Sequence, residues 1–572
     1  MSSLPVTSGL HFSLLTPPSA RFGPRLGTVV FKRPGCTTDQ PFVTIPTPGL
    51  LTATSRGVVP HLSRDHHRKT QAIKWVHIPF ETFLEHNPPV PTLQTGKTPL
   101  HTFLGFNPGQ HLLSMSARDL YDGREMPPNG KDHVSVYSLR GVRKLSPAQW
   151  RSYVYSVKPD IVMALSDTPF TDPPYSQKRL TKSIERSFAW LLNVLCSLSE
   201  PEKSTLLKEE PHYKPTVLVH MSGMTSIPAR RAFADSLLEP LFGPEAEQVK
   251  HIKYLDEGVS GYSFDLVPLR LSLDAAEKKS IDAMSPPSSL PSPAETPDPT
   301  TTALDVEASL SQLNLDSTIP PHIEQILPLL KTSLERLPTT KPRIVNSTQT
   351  PHETLRLISS VGIDLFDAHW AQRASDIGVS LDFVFPAPQG EGRKDLGHNL
   401  YHDKYTYDFS PLASSFRGAI DTEFTKPICQ CLACSPSVPP TRLYHGVDEE
   451  SYSGEPVMPL SSTPRYKPSF TRAYLHHLLH THEMSAHSLL VMHNISILDA
   501  FFSSIRKLLS EKPESWDAEV KRFIEAYDED MVVLDEARVS WKEVELARGK
   551  GRLAREKAKQ DEGTLGTAVE LE

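Results

Sequence analysis

Three cysteines near residue 430 have the residue type and spacing of a metal site. Cys429, Cys431 and Cys434 form the pattern C-x-C-x-x-C. Thiolates at this spacing are typical ligands of a tetrahedral zinc ion, which requires a fourth ligand. Because the chain has only five cysteines and three of them are clustered, the sequence excludes a disulfide framework and indicates a reducing compartment.

Six histidines downstream are candidates for the fourth ligand. They follow the start of a predicted helix near Thr471, and they are His476, His477, His480, His482, His487 and His493. Composition and spacing alone do not choose among them, and most histidines in such a segment are surface or packing residues. The residues alone therefore predict a site of three cysteines and one unassigned histidine.

The short sequence motifs around these histidines resemble those of a known family. TRAYLHHL at 471–478 and VMHN at 491–494, together with the cysteine triplet, are similar to the zinc-binding subdomain of the tRNA-guanine transglycosylase (queuine tRNA-ribosyltransferase) family. The resemblance implies that Cys429, Cys431, Cys434 and His493 hold one structural Zn²⁺. The cysteines and His493 are farther apart here than is usual in the family, and we attribute the excess to a Pro-rich inserted loop at 435–469.

The elements that must position this site alternate between strands and helices from about residue 140 onward. The predicted strands are DIVMAL at 160–165, TVLVH at 216–220, SGYSFDLV at 260–267, PRIVNST at 342–348 and GIDLFDAHW at 362–370. Helical patterns separate them, such as the apolar face of Leu180, Leu191 and Leu195. This alternation, without a Gly-rich dinucleotide turn, favours an α/β fold with a (β/α)₈ TIM barrel. The family resemblance, whose strand motifs occur in the same order here, implies a TIM barrel with an inserted zinc-binding subdomain.

The predicted organisation has five segments. They are the N-terminal part of the barrel at 1–284, a disordered insertion at 285–320, the C-terminal part of the barrel at 321–425, a zinc-binding subdomain at 426–510 and a helical, charged tail at 511–572. The insertion is predicted from 285–302, where six Pro, four Ser and four Thr leave little apolar surface to bury.

Both ends of the chain allow two interpretations. The first 38 residues are Ser-rich and contain basic residues without an acid, as in a transit peptide. However, 25–46 is typical of two strands around a Pro-Gly turn, and we prefer that interpretation. The basic residues between 548 and 559 indicate a solvated helical tail, with an RNA backbone contact as the alternative.

One candidate nucleophile is present. Base exchange at a nucleoside requires a carboxylate that attacks the ribose, a second carboxylate for proton transfer and a pocket that reads the purine. In active members of the family the attacking Asp closes a G-[IV]-D-x-F-D motif, and Asp367 occupies that place in GIDLFD. The family's continuation Cys-Val-x-Pro-Thr-Arg is replaced by residues 368–373, AHWAQR.

The other catalytic motifs of the family are altered. We place the family's Asp-Ser-Gly-Gly-Phe-Gln at HVSVYSLRG, 133–141, which contains no acid. Its base-reading Asp-Glu-Cys is replaced by Ser-Asp-Thr at 166–168, its Gln-Gly by Met-Ser at 221–222 and its Gly-Gly-Leu by Phe-Asp-Leu at 264–266. No Gly-Gly pair occurs in the sequence, although close backbone approach to a flat base favours glycine.

The resemblance therefore implies a non-catalytic accessory subunit of the eukaryotic enzyme. Its partners would be a catalytic paralogue, in a heterodimer, and tRNA, where queuine replaces guanine at the wobble position of GUN anticodons. Asp367 would then order a strand end. The alternatives are a divergent active transglycosylase that uses Asp367, and a stand-alone zinc-dependent RNA-binding scaffold, against which the net charge of −7 counts. We expect a cytoplasmic protein without a membrane span; peripheral association with the mitochondrial outer membrane is a second location that the resemblance implies.

Overall fold

The computed structural model of the protein describes residues 9–15, 20–33, 42–169, 173–196, 213–284, 322–390, 392–413, 429, 431–436 and 466–547. These residues belong to two compact units. The first contains Met1–Pro60, Ile73–Trp370 and Phe501–Arg522, and the second contains His61–Ala72, Ala371–Ala500 and Phe523–Glu572. The predicted disordered stretch at 285–302, most of the predicted loop at 435–469 and the basic residues from 548 lie outside the described residues. The predicted segment boundaries stay predictions.

The first unit is built on a closed barrel of eight parallel strands, as predicted. In chain order these strands are β4 (Gly49–Ala53), β5 (Trp75–Pro79), β6 (Leu112–Ser116), β9 (Ile161–Met163), β10 (Thr216–His220), β11 (Gly261–Asp265), β12 (Arg343–Asn346) and β13 (Leu365–Asp367). Each strand pairs with its neighbour in sequence, and β13 pairs with β4, Phe366 opposite Leu50, to close the ring. The last five strands coincide with the predicted ones, whereas the first three precede the region where the sequence pattern was recognised.

An antiparallel sheet closes the N-terminal end of the barrel. It consists of β1 (Gly9–Leu14), β2 (Gly27–Lys32) and β3 (Val43–Thr47), and its β2 and β3 confirm the two strands predicted within 25–46. Val29 and Ile45 are buried in one core cluster with the first residues of barrel strands, including Trp75. Because this end is filled by apolar side chains, the carboxyl ends of the strands remain as the place for a site, as in other barrels of this type.

Helices in the first unit follow the barrel strands. Those before the barrel's fifth strand are Pro99–Leu104, Pro147–Val157 and Gln177–Leu195, with 3₁₀ turns at Phe80–Phe83 and Val90–Leu93. The later ones are Ile227–Leu238, Gly243–Gln248, Leu255–Gly258, Leu266–Met284, Ile323–Leu334 and Pro351–Val361, with a 3₁₀ turn at Pro513–Ser515. Helix Gln177–Leu195 begins where the Ser176 side chain accepts a hydrogen bond from the Arg179 N–H. It buries the predicted face of Leu180, Leu191 and Leu195.

An additional hairpin lies between the third and fourth barrel strands in sequence. It consists of β7 (Val134–Ser138) and β8 (Gly141–Leu145), which pair only with each other. The hairpin is therefore not part of the barrel.

The second unit contains a two-stranded sheet and helices. The strands are β14 (Val379–Leu381) and β15 (Gly397–Asn399), and the helical segments are Arg64–Lys69, a 3₁₀ turn at Asp403–Tyr405, Arg472–His480 and Val532–Ala547. Helices His369–Asp376, Met484–Glu511 and Trp516–Ala526 contribute residues to both units.

One helix in the described part of the chain, Met484–Glu511, is long and apolar enough to cross a membrane by length and composition. However, 67% of its most apolar 18-residue window is buried inside the protein. A core helix of a folded protein has the same properties, so this helix is weak evidence for a span.

Candidate metal centre and barrel mouth

The three cysteines and His493 lie together in the second unit. One ligand atom from each of Cys429, Cys431, Cys434 and His493 lies within 4.8 Å of all the others. His493 Nδ1 is 3.2 Å from Cys434 Sγ and 4.0 Å from Cys431 Sγ. Three of the four residues are buried, and Cys429 is half-buried. The structure thus brings together the four residues that the resemblance implied, and this group could hold a metal ion.

Backbone hydrogen bonds shape the cysteine turn. The Cys434 N–H points at Cys431 Sγ at 3.2 Å, and the Cys429 N–H donates to Ser435 Oγ at 3.2 Å. A backbone N–H that points at a sulfur stabilises its thiolate form. The turn therefore favours the ionised sulfur that a metal requires.

The orientation of the His493 ring is fixed by the strand beside it. Nε2 lies 2.9 Å from the Leu381 carbonyl oxygen, so Nε2 carries the proton and the Nδ1 lone pair faces the cysteines. Asn494 holds the same strand, because its Oδ1 accepts from the Leu381 N–H at 2.9 Å and its Nδ2 donates to the Val379 carbonyl at 2.9 Å. Asn494 is thus a supporting residue whose role the sequence motif did not reveal.

The electrostatics of the group fit a divalent cation. Hydrogen bonds from the neighbouring thiols lower the pKa of Cys429, whereas burial raises the pKa of Cys431 and hydrogen bonding with Cys429 raises the pKa of Cys434. The thiols therefore compete for ionisation, and a bound cation would let all three become thiolates. Three sulfurs and one imidazole are a donor set that suits Zn²⁺.

None of the other five candidate histidines belongs to this group. His487 Nδ1 lies 3.0 Å from the Ser375 carbonyl oxygen. His476 and His480 form a separate group with Asp403.

At the mouth of the barrel, in the first unit, Asp367 is enclosed by backbone donors. Its Oδ2 accepts from the N–H groups of Ser347 and of Thr348, at 3.3 Å, and its Oδ1 accepts from the His369 N–H at 2.8 Å. The residue is 1% exposed, and burial raises its pKa to about 7. Three of the roughly four acceptor positions of the carboxylate are occupied, so its geometry is that of a residue that holds the end of β13 to the turn after β12.

The stretch 133–141, which we compared with the family's second-carboxylate motif, lies mostly in the β7–β8 hairpin, which begins at Val134. The third barrel strand is β6, and the loop after β6 contains Asp119 and Asp122. Asp122 is paired with Arg124 at 2.6 Å, and burial raises the pKa of Asp119 to about 6. The mouth therefore does carry acids.

Asp167, the one acid near the family's base-reading position, is fully engaged. Arg179 binds it in a bidentate manner, with Nη1–Oδ2 at 2.8 Å and Nη2–Oδ1 at 2.9 Å. Arg186 Nη1 donates to Oδ2 at 3.0 Å, and Asn129 Nδ2 donates to Oδ1 at 2.8 Å. Four hydrogen bonds use the acceptor capacity of this carboxylate. Asp167 therefore has a structural role, and no acceptor position is left for a purine base.

This network leads to a stability prediction. Asp167→Asn should lower the free energy of unfolding of the first unit by about 3–5 kcal/mol, because Arg179 and Arg186 lose a buried partner. Chemical denaturation monitored by tryptophan fluorescence measures the change. Asp235→Asn is the matched control, since Asp235 pairs with Arg336 at 3.1 Å on the surface and should cost less than about 1 kcal/mol. An equal loss of unfolding free energy in both variants would show that the Asp167 network contributes no more to stability than a surface ion pair.

Other polar groups at the mouth also pair within the protein. His220 Nε2 lies 2.9 Å from Asp265 Oδ2, and Ser222 Oγ lies 2.9 Å from Ser166 Oγ. Two cavities lie among these residues, with volumes of ≈ 10 Å³ and ≈ 70 Å³. Since one water needs about 10–15 Å³ of volume measured in this way, the larger cavity accommodates a few waters.

Comparison with known proteins agrees with these features. Residues 24–230 and 315–529 match the family model described as Queuine tRNA-ribosyltransferase. The chain is 24% identical over 472 residues to the "Queuine tRNA-ribosyltransferase accessory subunit 2" of Drosophila persimilis, with 81% of this chain and 82% of the relative covered. It is 22% identical over 486 residues to the protein of the same name from Schizosaccharomyces pombe, with 84% and 78% covered.

Proposed function

Because this chain belongs to the queuine tRNA-ribosyltransferase family, we propose that it is the non-catalytic accessory subunit of a heterodimeric enzyme. The partner would be a catalytic paralogue, and the complex would exchange guanine for queuine at the wobble position of tRNAs with GUN anticodons. The names of its fly and yeast relatives support an accessory role. The observation that carries the proposal is the state of the barrel mouth, where Asp167 and Asp367 are both bound by groups of the protein itself.

Each of the two carboxylates lacks what its catalytic counterpart would need. A nucleophile must present a free oxygen to the ribose carbon, but both oxygens of Asp367 accept backbone N–H groups. A base-reading carboxylate must accept from the purine edge, but Asp167 accepts from two arginines and an asparagine. The substitution of Phe264, buried at 1% exposure, for a family glycine adds bulk where a base would approach.

The metal in this proposal is one structural Zn²⁺. Cys429, Cys431, Cys434 and His493 would hold it, and four protein ligands leave no position for an activated water. Its part would be to fix the cysteine turn against helix Met484–Glu511. The proposed location is the cytoplasm, where thiols stay reduced.

A divergent enzyme is the second candidate, and one observation favours it. Asp119 lies after the third barrel strand and lines the larger cavity at the mouth, so it is the second carboxylate that such an enzyme would use together with Asp367. This candidate requires Asp367 to leave its three backbone donors before it could attack.

The mass of the native complex tests the accessory proposal. The chain would be isolated from its own cells under non-denaturing conditions and weighed with and without added tRNA. The expected result is one copy of this chain with one copy of a second, related polypeptide. A chain recovered alone, or with tRNA only, would contradict the proposal and support a stand-alone RNA-binding scaffold.

A further inference from the structure

We propose that the second unit carries a second metal site, distinct from the cysteine group, formed by Asp403, His476 and His480. One ligand atom of each of the three residues lies within 4.8 Å of the others. The histidines are one turn apart on helix Arg472–His480, and Asp403 begins the 3₁₀ turn Asp403–Tyr405. The site would bind a divalent cation that accepts both nitrogen and oxygen ligands, such as Zn²⁺ or Ni²⁺.

Both imidazoles are oriented for a metal by the backbone. His476 Nδ1 lies 2.8 Å from the Leu400 carbonyl oxygen, and His480 Nδ1 lies 2.9 Å from the His476 carbonyl oxygen. A carbonyl only accepts, so each Nδ1 must carry the proton, and the lone pair of each ring is then on Nε2. A second hydrogen bond that fixes the tautomer in this way is the usual companion of a metal-binding histidine.

The neighbouring hydroxyl does not take up the lone pair of His476. Thr406 Oγ1 lies 3.3 Å from His476 Nε2, but it is 2.7 Å from the Asp403 carbonyl oxygen, to which it donates its only proton. No proton therefore remains on Thr406 for Nε2.

The three ligand atoms must move closer together to bind one ion. The two rings have centroids 4.2 Å apart, and histidines at i and i+4 lie on the same helix face. Two ligands of one tetrahedral ion at about 2.1 Å each lie about 3.4 Å apart, so atoms that are up to 4.8 Å apart must approach by up to about 1.4 Å. Asp403 is exposed and is able to make most of this movement by side-chain rotation, while the hydrogen bonds of the two histidines are kept.

The occupied site would join two parts of the second unit. Three protein ligands leave at least one coordination position, which faces solvent on the side of the exposed Asp403 and His480 and would take water. The metal would tie the 3₁₀ turn at 403–405 to helix Arg472–His480. This site shares no residue with the cysteine group, so the two can be occupied independently.

Calorimetric titration with Ni²⁺ tests this proposal on the full-length chain with its cysteine group loaded with zinc. The wild-type chain should bind one equivalent of Ni²⁺. His480→Ala should weaken this binding by about 100-fold or more, since loss of a mere supporting residue costs about 10–100-fold at metal sites. Asp403→Asn should weaken it as well. The tightly held zinc should stay constant in all variants, which reports an intact fold.

His477→Ala is the matched control, because His477 lies on the same helix, is exposed and is outside the group. Its Ni²⁺ affinity should equal that of the wild type. The proposal is overturned if the wild type shows no saturable equivalent, or if His477→Ala weakens binding as much as His480→Ala does. The latter result would indicate scattered surface histidines instead of a defined site.

Discussion

Purified alone, this chain is expected to incorporate no labelled guanine into tRNA above the uncatalysed background, whereas its mixture with the catalytic paralogue should be active. The reason is that Asp167 and Asp367, at the mouth of the barrel, are both hydrogen-bonded by groups of the protein itself. General acid–base catalysis contributes about 10²–10⁴-fold, and the Asp367 carboxylate accepts three backbone N–H groups, which hold it at the end of β13 and leave little of it for a substrate. The measurement compares the chain, the paralogue and the mixture at equal concentrations.

Two substitutions sharpen this test. Asp367→Asn and Asp119→Asn in the mixture should leave the rate of incorporation within about twofold of the wild type, because neither carboxylate takes part in the reaction. Thermal unfolding of each variant identifies any loss that is due to misfolding. Turnover by this chain alone that disappears in Asp367→Asn would overturn the accessory role and establish the divergent enzyme.

His493→Ala should remove the tightly held zinc and destabilise the second unit. Structural zinc in small domains contributes on the order of 10–16 kcal/mol of apparent binding free energy, and His493 is the buried nitrogen that faces the three sulfurs. Zinc per chain is measured by elemental analysis after dialysis against a weak chelator. The expected fall is from one equivalent to near zero, together with a lower midpoint of thermal unfolding.

The control for this experiment is His477→Ala, which should retain one equivalent of zinc. His476→Ala should also retain it, because His476 belongs to the separate group with Asp403. Full zinc occupancy in His493→Ala, combined with its loss in either of these variants, would show that the ligand assignment is wrong.

Some of the later barrel strands could be predicted from the sequence because they are short apolar runs. TVLVH at 216–220 coincides with β10, and IVM at 161–163 is β9. In β5 and β6 polar residues interrupt the run, because His77 and Ser114 face each other inside the barrel, with His77 Nδ1 3.0 Å from Ser114 Oγ. A buried polar pair satisfies itself in three dimensions, but along the sequence it breaks the apolar pattern, so these strands were missed.

The candidate sites also differ in how much of them could be predicted from the sequence. The cysteine turn is local in sequence, so its chemistry could be predicted, and the family motif pointed to His493. The binding of Asp167 by Arg179, Arg186 and Asn129 depends on residues up to 38 positions away, which sequence spacing does not relate.

The closure of the barrel has a consequence for synthesis on the ribosome. Leu50 of β4 pairs opposite Phe366 of β13. The first barrel strand can therefore pair with the last one only after more than 300 further residues have been translated. At about 5–20 residues per second, this delay lasts roughly 15–60 s. During that time β4 has one edge without a partner, and such an edge is a template for aggregation. Soluble production of this chain should therefore depend on nascent-chain chaperones, and slower translation should lengthen the exposure.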